Sequence, residues 1–428
     1  MIRKVGDRYD VIVVGSGSAG SSAAITAGRL GARTLLLDRL AFMGGTSTAV
    51  LDTFYAFYTP TDPPRRVVGG LGWEVVERLR DEGVCFERPN TYGAGTGVTY
   101  DQETLKLTWE RLAQDAGVSL LLHTWATGVR VEDGRLRGVR VWNKGGERWF
   151  EADVVVDASG DADVAAMAGV PYEDFGTTGK VQSLSTLFRL ANVDVAKAAE
   201  TPKKEMWSLM RSAAASGEYR LPRLEGSWHR TPFDGVVMVH MTRIPNVDAT
   251  DPVALTAAEL EGRRQVREYH RFLRDHVPGF ERSVVVGTSP SIGIRESRRV
   301  IGDYQLTRDD VLNARRFDDE IALCGAPIED HGTGGETDWN YVSEGGVYGV
   351  PLRCLLPLGV EGLLVAGRCF SATHDAHASA RSMATCMAMG QAAGTTAAIG
   401  AARGCTPREV TASEVRQRLV DDGAILNV

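Results

Sequence analysis

Apolar runs, and the polar stretches between them, divide the chain into elements before any motif is considered. Tyr9-Asp10-Val11-Ile12-Val13-Val14 is short, β-branched and almost wholly apolar, as a parallel strand buried on both faces requires. From Ser18 to Ala27 the chain is dense in small residues and reads as a helix, and Thr34-Leu35-Leu36-Leu37 reads as a second buried strand. Helical spacing returns over Gly72–Gly83, with Val75, Val76 and Leu79 inward. It returns again over Gln102–Ala116, where Leu105, Leu107, Leu112 and Ala113 form the apolar set. Val118–His123 predicts a return strand. From Gly128 to Val141 apolar and polar residues alternate around Asp133-Gly134, a hairpin signal, and Trp149–Ala152 extends it into a small antiparallel sheet. Ala152–Ala158 is then a separate buried strand. Past Gly176 the texture changes: Ser185–Leu190 and Val236–Met241 read as strands, and Thr256–His276 as one long helix with Glu and Arg outward. Gly362–Arg368 is the last strand, ending in a Gly-Arg turn, and Ser382–Ala402 is an uncharged helix.

Between the first strand and first helix lies Gly15-Ser16-Gly17-Ser18-Ala19-Gly20, a G-x-G-x-x-G turn. Each position has a physical reason: Gly15 for the tight turn, Gly17 for approach of backbone to a pyrophosphate, Gly20 for close packing of helix on strand. The helix start at Ser18 and Ala19 offers free N–H groups to phosphates. Asp38 ends the second strand eighteen residues past Gly20, where a carboxylate accepts hydrogen bonds from a ribose. Strand, turn, helix and acid together predict dinucleotide binding.

Composition narrows the remaining classes. The chain has 428 residues, 43% hydrophobic and 24% charged, which suits two or three domains with a large core. A formal net charge of −7 and small, interleaved basic clusters exclude a broad nucleic-acid surface. The six cysteines, Cys85, Cys324, Cys354, Cys369, Cys386 and Cys405, contain no C-x-x-C, which argues against zinc, an iron–sulfur cluster or a redox dithiol. No metal site is predicted. The first residues, Met1–Asp7, carry no apolar signal core, so a cytoplasmic location is expected. Ser382–Ala402 is long enough to span a bilayer but is built of Ala, Gly, Thr, Ser and Met around Gln391; burial against a cofactor is the expectation, and no membrane partner.

Further stretches carry a resemblance. Phe42-Met43-Gly44-Gly45-Thr46-Ser47-Thr48 supplies a second glycine pair, Ala158-Ser159-Gly160 follows a buried strand, and Gly367-Arg368 precedes the uncharged helix that starts at Ser382-Met383. In these the chain resembles FAD-dependent oxidoreductases of the glutathione-reductase-like group, with fumarate reductase and succinate dehydrogenase flavoproteins as distant relatives. The similarity covers roughly the first 190 and last 90 residues and the middle only in patches. It implies FAD as cofactor, held by Gly15, Gly17, Ser18, Ala19, Gly20, Asp38, Arg39, Gly44, Gly45, Thr46, Ser47, Ala158, Ser159, Gly160, Gly367, Arg368, Ser382 and Met383. Asp157 and Asp161 are expected to be structural. The implied fold is α/β: a Rossmann-like FAD-binding domain with parallel sheet and β-meander, plus an inserted α+β substrate domain. Its expected bounds are 1–175 with the meander at about 128–152, then 176–342, then 343–428.

The expected reaction is hydride transfer between a small polar organic substrate and flavin N5, as a dehydrogenase or oxidase. A fumarate-reductase-like C=C reductase is the alternative, and a flavin-binding partner or sensor without turnover a third. Histidine suits proton transfer near neutral pH, so His331, His374 and His377 are candidates, His331 foremost because Glu329 and Asp330 can orient it or raise its pKa. Arg295, Arg353 and Arg381 are the proton-donor candidates of the reductase reading. The arginine-rich stretch Gly293–Tyr304 reads equally as a salt-bridged surface or as part of the flavin site. Tyr55 and Tyr58, from the aromatic run Leu51–Tyr58, are candidates for the ring end of the site, against packing at a domain junction. No second nucleotide fingerprint is seen: Gly93–Gly97 and Gly332–Gly335 follow no buried strand. The electron acceptor or donor is left unnamed; a homo-oligomer is an open expectation, its copy number unspecified.

Overall fold

The computed structural model of the protein describes residues 6–90, 95–332 and 337–427. The glycine runs at 93–97 and 332–335, and the first residues of the chain, lie partly outside them.

A seven-stranded sheet organises the fold, in the order Ser119–Leu121, Thr34–Leu37, Arg8–Val14, Gly146–Asp157, Arg135–Asn143, Trp125–Glu132, with the strand Leu363–Val365 also on Gly146–Asp157. β1 (Arg8–Val14) lies at its centre, parallel to β2 (Thr34–Leu37) on one side and to β9 (Gly146–Asp157) on the other. β6 (Ser119–Leu121) extends the parallel part, and β7 (Trp125–Glu132) and β8 (Arg135–Asn143) form the antiparallel meander. The sequence pattern splits at Ala152, but the structure runs one twelve-residue strand through it. Its first half pairs with β8 and its last residues pair with Leu363–Val365 along the same edge. Alternation changes to continuous burial there because the strand passes from a half-exposed meander into a sheet covered on both faces.

Two helices cover the face that leads to the site. α1 (Ser18–Arg29) is buried over its first ten residues, and the helix Met383–Arg403 lies against it. A Cβ at Gly390 would collide with the Ala19 carbonyl, and one at Gly394 with the Ala23 carbonyl. The small residues of Ser382–Ala402 therefore serve helix–helix approach, and only its first residues face the cavity described below. Gly390→Leu is expected to cost about 3 kcal/mol or more, since overpacking here meets backbone; thermal unfolding of the variant is the measurement. No helix among the described residues is long and apolar enough to cross a membrane.

α3 (Gly70–Asp81) buries Val75, Val76 and Leu79 as its periodicity predicts. α4 (Gln102–Asp115) buries Leu105, Trp109 and Leu112, whereas Leu107 is 50% exposed because it stands two positions from Leu105 and so faces away. A three-stranded antiparallel sheet, β3 (Thr53–Phe54), β5 (Thr96–Tyr100) and β4 (Cys85–Pro89), packs Phe54 and Phe57 into the main core with Tyr100 and Trp73.

A second sheet of four antiparallel strands has the order Ser227–Arg230, Val237–His240, Phe188–Ala191, Val284–Thr288. The 25-residue helix Pro252–His276 packs on it through Val266, Tyr269, Phe272 and Leu273, giving this part its own apolar cluster. Val300 joins the core behind β9, and Leu306, Val311, Ile321 and Leu323 join the main core. Apolar periodicity cannot tell which of two cores a strand fills.

Candidate functional site

The turn after β1 is built by what cannot fit. Gly15 has φ +94°, and a Cβ there would meet the Ala158 carbonyl; a Cβ at Gly20 would meet the Gly15 carbonyl. Gly17 differs, with φ −64° and open space where its Cβ would stand. Gly45 approaches Gly17 so closely that a Cβ on it would lie 2.8 Å from the Gly17 Cα, and Gly44 N–H donates to the Ser16 carbonyl at 2.7 Å. The two glycine loops thus form one wall of a long cavity.

Gly15, Gly17, Ser18 and Ala19 line that cavity, as do Gly45 and Thr46. Asp38 and Arg39 line it further along, where the Arg39 guanidinium lies over the Trp125 ring. Ala158, Ser159 and Gly160 line the facing side with Gly367, Arg368, Ser382 and Met383. Three expected residues act from behind: Gly20 as the packing contact, Gly44 as the bond to Ser16, and Ser47, whose hydroxyl donates to the Gly44 carbonyl. Asp38 already accepts from Ser16 N–H and Oγ–H, both at 2.6 Å, and from Leu40 N–H at 2.7 Å. It braces the turn as well as facing the cavity. Buried Asp157 accepts from Ser159 and Ala165, and Asp161 accepts from Arg368 and Ser297, so both stabilise loops.

Beyond the glycine loops the same cavity meets a cluster of cations and imidazoles. Arg295, Arg381, His229, His240, His331, Tyr55 and Glu329 line it. Arg295 donates to the Ser183 carbonyl at 2.6 Å, Ser185 Oγ at 2.9 Å and His240 Nε2 at 2.8 Å. Arg243 donates to His331 Nδ1 at 3.3 Å, which leaves the His331 proton on Nε2, 2.9 Å from Glu329. Burial, then Arg295, Arg223, Arg381 and Arg243, hold His331 well below the usual imidazole value. Glu329 orients His331 as expected, but the pKa moves the opposite way, because desolvation and four guanidiniums outweigh one carboxylate. His240 is depressed likewise by burial, Arg223 and Arg295. Burial and the neighbouring Arg381 and Arg223 lower Arg295 itself well below its ordinary value. Arg381 donates to Gln182 at 2.9 Å, while its buried Nε has no hydrogen-bond partner among the described residues.

The remaining candidates lie elsewhere. His374 does not line the cavity; Nδ1 is 2.8 Å from Glu296 and Nε2 3.3 Å from Asp330. Against burial, which pulls it down, these carboxylates raise His374 to about 9. Asp330, His374 and Asp375 stand close enough to chelate, and both ring nitrogens of His374 are taken up by carboxylates, Glu296 and Asp330. His374 is raised above its unfolded value, so its stabilisation is complete below pH 6.5 and disappears as pH passes about 9. Allowing for solvent screening, about 2 kcal/mol of unfolding free energy is expected to be lost over that window. Urea titrations across it should show a shallower slope for His374→Gln.

His377 is buried, donates to the Arg368 carbonyl at 2.8 Å and lies outside the cavity lining. Arg353 pairs with Asp319 in a half-exposed position away from the cavity. Tyr58 donates to Glu87 instead of facing the site. The stretch Gly293–Tyr304 is no surface ladder: Glu296 and Arg299 are each 1% exposed and pair at 2.8 Å. His229, His240, Asp52, Arg223 and Arg243 escape a sequence reading, since no motif surrounds them. The one signal is that His229 and His240 fall on strands of a hairpin.

This fold and cradle define a flavoprotein. Residues 10–419 match the FAD dependent oxidoreductase family, and the chain belongs to it. It is 26% identical over 184 residues to a digeranylgeranylglycerophospholipid reductase of Methanosarcina mazei, covering 38% of this chain and 41% of that one. It is 30% identical over 163 residues to a tRNA uridine 5-carboxymethylaminomethyl modification enzyme of Geobacter metallireducens, covering 35% of this chain and 24% of that one. A vinyl phenol reductase of Lactiplantibacillus plantarum is 28% identical over 166 residues, 32% of this chain and 34% of its own length. The chain thus spans between a quarter and about two-fifths of these relatives. Among solved structures, the flavin-dependent brominase Bmp2 superposes with a TM-score of 0.50 at 13% identity, over 97% of this chain and 83% of the other, and shows the fold alone.

The residues present fit the cofactor that this family is named for. The space left open at Gly17, the apposed loop at Gly45 and the unused N–H groups at the start of α1 suit a pyrophosphate. The helix start at Ser382–Met383, facing the cavity, suits negative charge.

Proposed function

We propose that the protein is a dehydrogenase or oxidase of small organic acids that carry a hydroxyl or amine beside the carbon to be oxidised. The observation that supports this is the convergence of Arg223, Arg243, Arg295 and Arg381 around two neutral imidazoles at one end of the cofactor cavity. Like charges brought this close out of water depress one another, and an anion arriving among them relieves the repulsion. Arg295 and Arg381, which line the cavity, would hold a substrate carboxylate, with Arg223 and Arg243 behind them. His240 and His331 keep their acceptor nitrogens on arginines and so fix the guanidinium planes. FAD, when bound, supplies the two-electron step by accepting a hydride. Anaerobic mixing tests the reading: hydroxy or amino acids should bleach the oxidised flavin band, and their amides should do so at least about a hundredfold more slowly, the cost of a missing charge partner. Equal rates for acid and amide would refute it.

A second reading, reduction of an activated C=C bond, is favoured by Arg295, whose depressed pKa makes the guanidinium a better proton donor than an ordinary arginine. Two of the similar proteins are named as reductases, over partial matches. Re-oxidation of photoreduced enzyme by an enoate, with no bleaching by any saturated acid, would decide for it.

A further inference from the structure

We propose that His229 is the proton-transfer residue of this site and Asp52 its positioning carboxylate, an assignment resting on the hydride-transfer reading above. The two come from different parts of the fold. Asp52 immediately precedes β3, in the nucleotide-binding body, and His229 is on the strand Ser227–Arg230 of the four-stranded sheet. They are 177 residues apart in sequence and meet at 2.8 Å, His229 Nε2 to Asp52 Oδ1, and both line the cavity.

The chemistry of the pair is set by its surroundings. Asp52 is 2% exposed. Burial alone would raise its carboxyl, but His229, Arg88 and Arg189 hold it below the usual carboxylate value. An ionised carboxylate only accepts, so Nε2 carries a proton, and whenever the ring is neutral its lone pair is on Nδ1. That nitrogen makes no hydrogen bond to the described residues and is not a buried orphan.

The other cavity histidines lack this arrangement. His240 gives its Nε2 lone pair to Arg295, and His331 gives its Nδ1 lone pair to Arg243. A proton on either ring would face guanidiniums already in contact. Among the described residues, His229 is the cavity histidine that has a carboxylate behind one nitrogen and no arginine on the other.

In oxidation, the substrate hydroxyl (or amine) gives its proton to His229 Nδ1, and the carbon beside it loses hydrogen with its electron pair to the flavin. A C=O or C=N bond forms, the substrate loses two electrons and two hydrogens, and the new imidazolium faces Asp52. Reduction runs the same path backwards.

The test uses FAD-loaded His229→Ala, His229→Gln and Asp52→Asn, each checked for wild-type flavin content. With a donor that reduces the wild type, flavin reduction should slow by about 10²–10⁴-fold in the His229 variants while substrate affinity holds. Added imidazole should restore part of the His229→Ala rate and none of the rate lost in an Arg295 variant. Histidine-labelled ¹⁵N spectra, which need no turnover, should show the His229 ring with its proton on Nε2, and Asp52→Asn should shift it toward the other tautomer. Wild-type rates in His229→Ala, or an Nδ1–H ring in the wild type, would overturn the assignment alone. A wild type that no donor reduces would sink the hydride-transfer reading, and the catalytic role of His229 with it.

Discussion

Gly17→Val is expected to purify folded and without flavin. At Gly17 the backbone is extended, φ −64° and ψ −176°, a conformation open to any residue, and a Cβ there touches nothing. Its side chain would project into the cavity between the two glycine loops, where the pyrophosphate and the backbone have to meet. Affinity for FAD should fall by more than about a hundredfold, some 3 kcal/mol, with an unchanged unfolding temperature. Gly20→Val supplies the contrast, since its Cβ would strike the Gly15 carbonyl and the variant should fail to fold stably. Flavin content by absorbance, beside circular dichroism, separates the two; a yellow Gly17→Val protein with full flavin would remove the pyrophosphate assignment.

Arg295→Leu should have the next largest effect, on substrate alone. The guanidinium is held by the Ser183 carbonyl, Ser185 and His240, and its neighbours Arg381 and Arg223 repel it. Its removal strands those acceptors, at about 1–3 kcal/mol, but relieves like-charge crowding, so the fold and the flavin should survive. An anionic substrate loses a charge-assisted partner in a buried site, worth about 2–5 kcal/mol or thirty- to several-thousand-fold in affinity. Arg295→Lys should recover only part, because a point charge does not reproduce the planar fork. Perturbation of the flavin spectrum on titration with substrate measures both; wild-type affinity in Arg295→Leu would mean that the anion binds elsewhere.

How far such a site can be read in advance depends on how local it is. The cradle is legible because Gly15 to Gly20 and Asp38 lie within one strand–helix–strand unit, where spacing alone fixes their neighbours. Arg295 and Arg381 are legible as candidates for the weaker reason that each is a charged residue in a stretch otherwise akin to flavin loops. Nothing local marks Asp52 or His229; their meaning is a 2.8 Å contact between two sheets, set by tertiary packing. His374 misleads in the opposite sense. It stands in a promising segment, yet the two carboxylates that claim it come from residues 296 and 330. Leu107 errs by geometry, being apolar but on the outer side of α4. Charge direction is the least legible quantity, since the acids beside His331 are visible in the sequence and the four arginines around it are not.

The unbroken course of β9 has a consequence for how the molecule comes apart. Along one edge it is bonded to β1, from the start of the chain; along the other it is bonded first to β8 and then to Leu363–Val365, from near the end. Opening that strand therefore releases the N-terminal turn, the meander and the C-terminal segment together. The amides of Val154 to Asp157 should be among the slowest to exchange with solvent, opening only in the global transition. Loss of the cofactor cradle and loss of the fold become a single cooperative event.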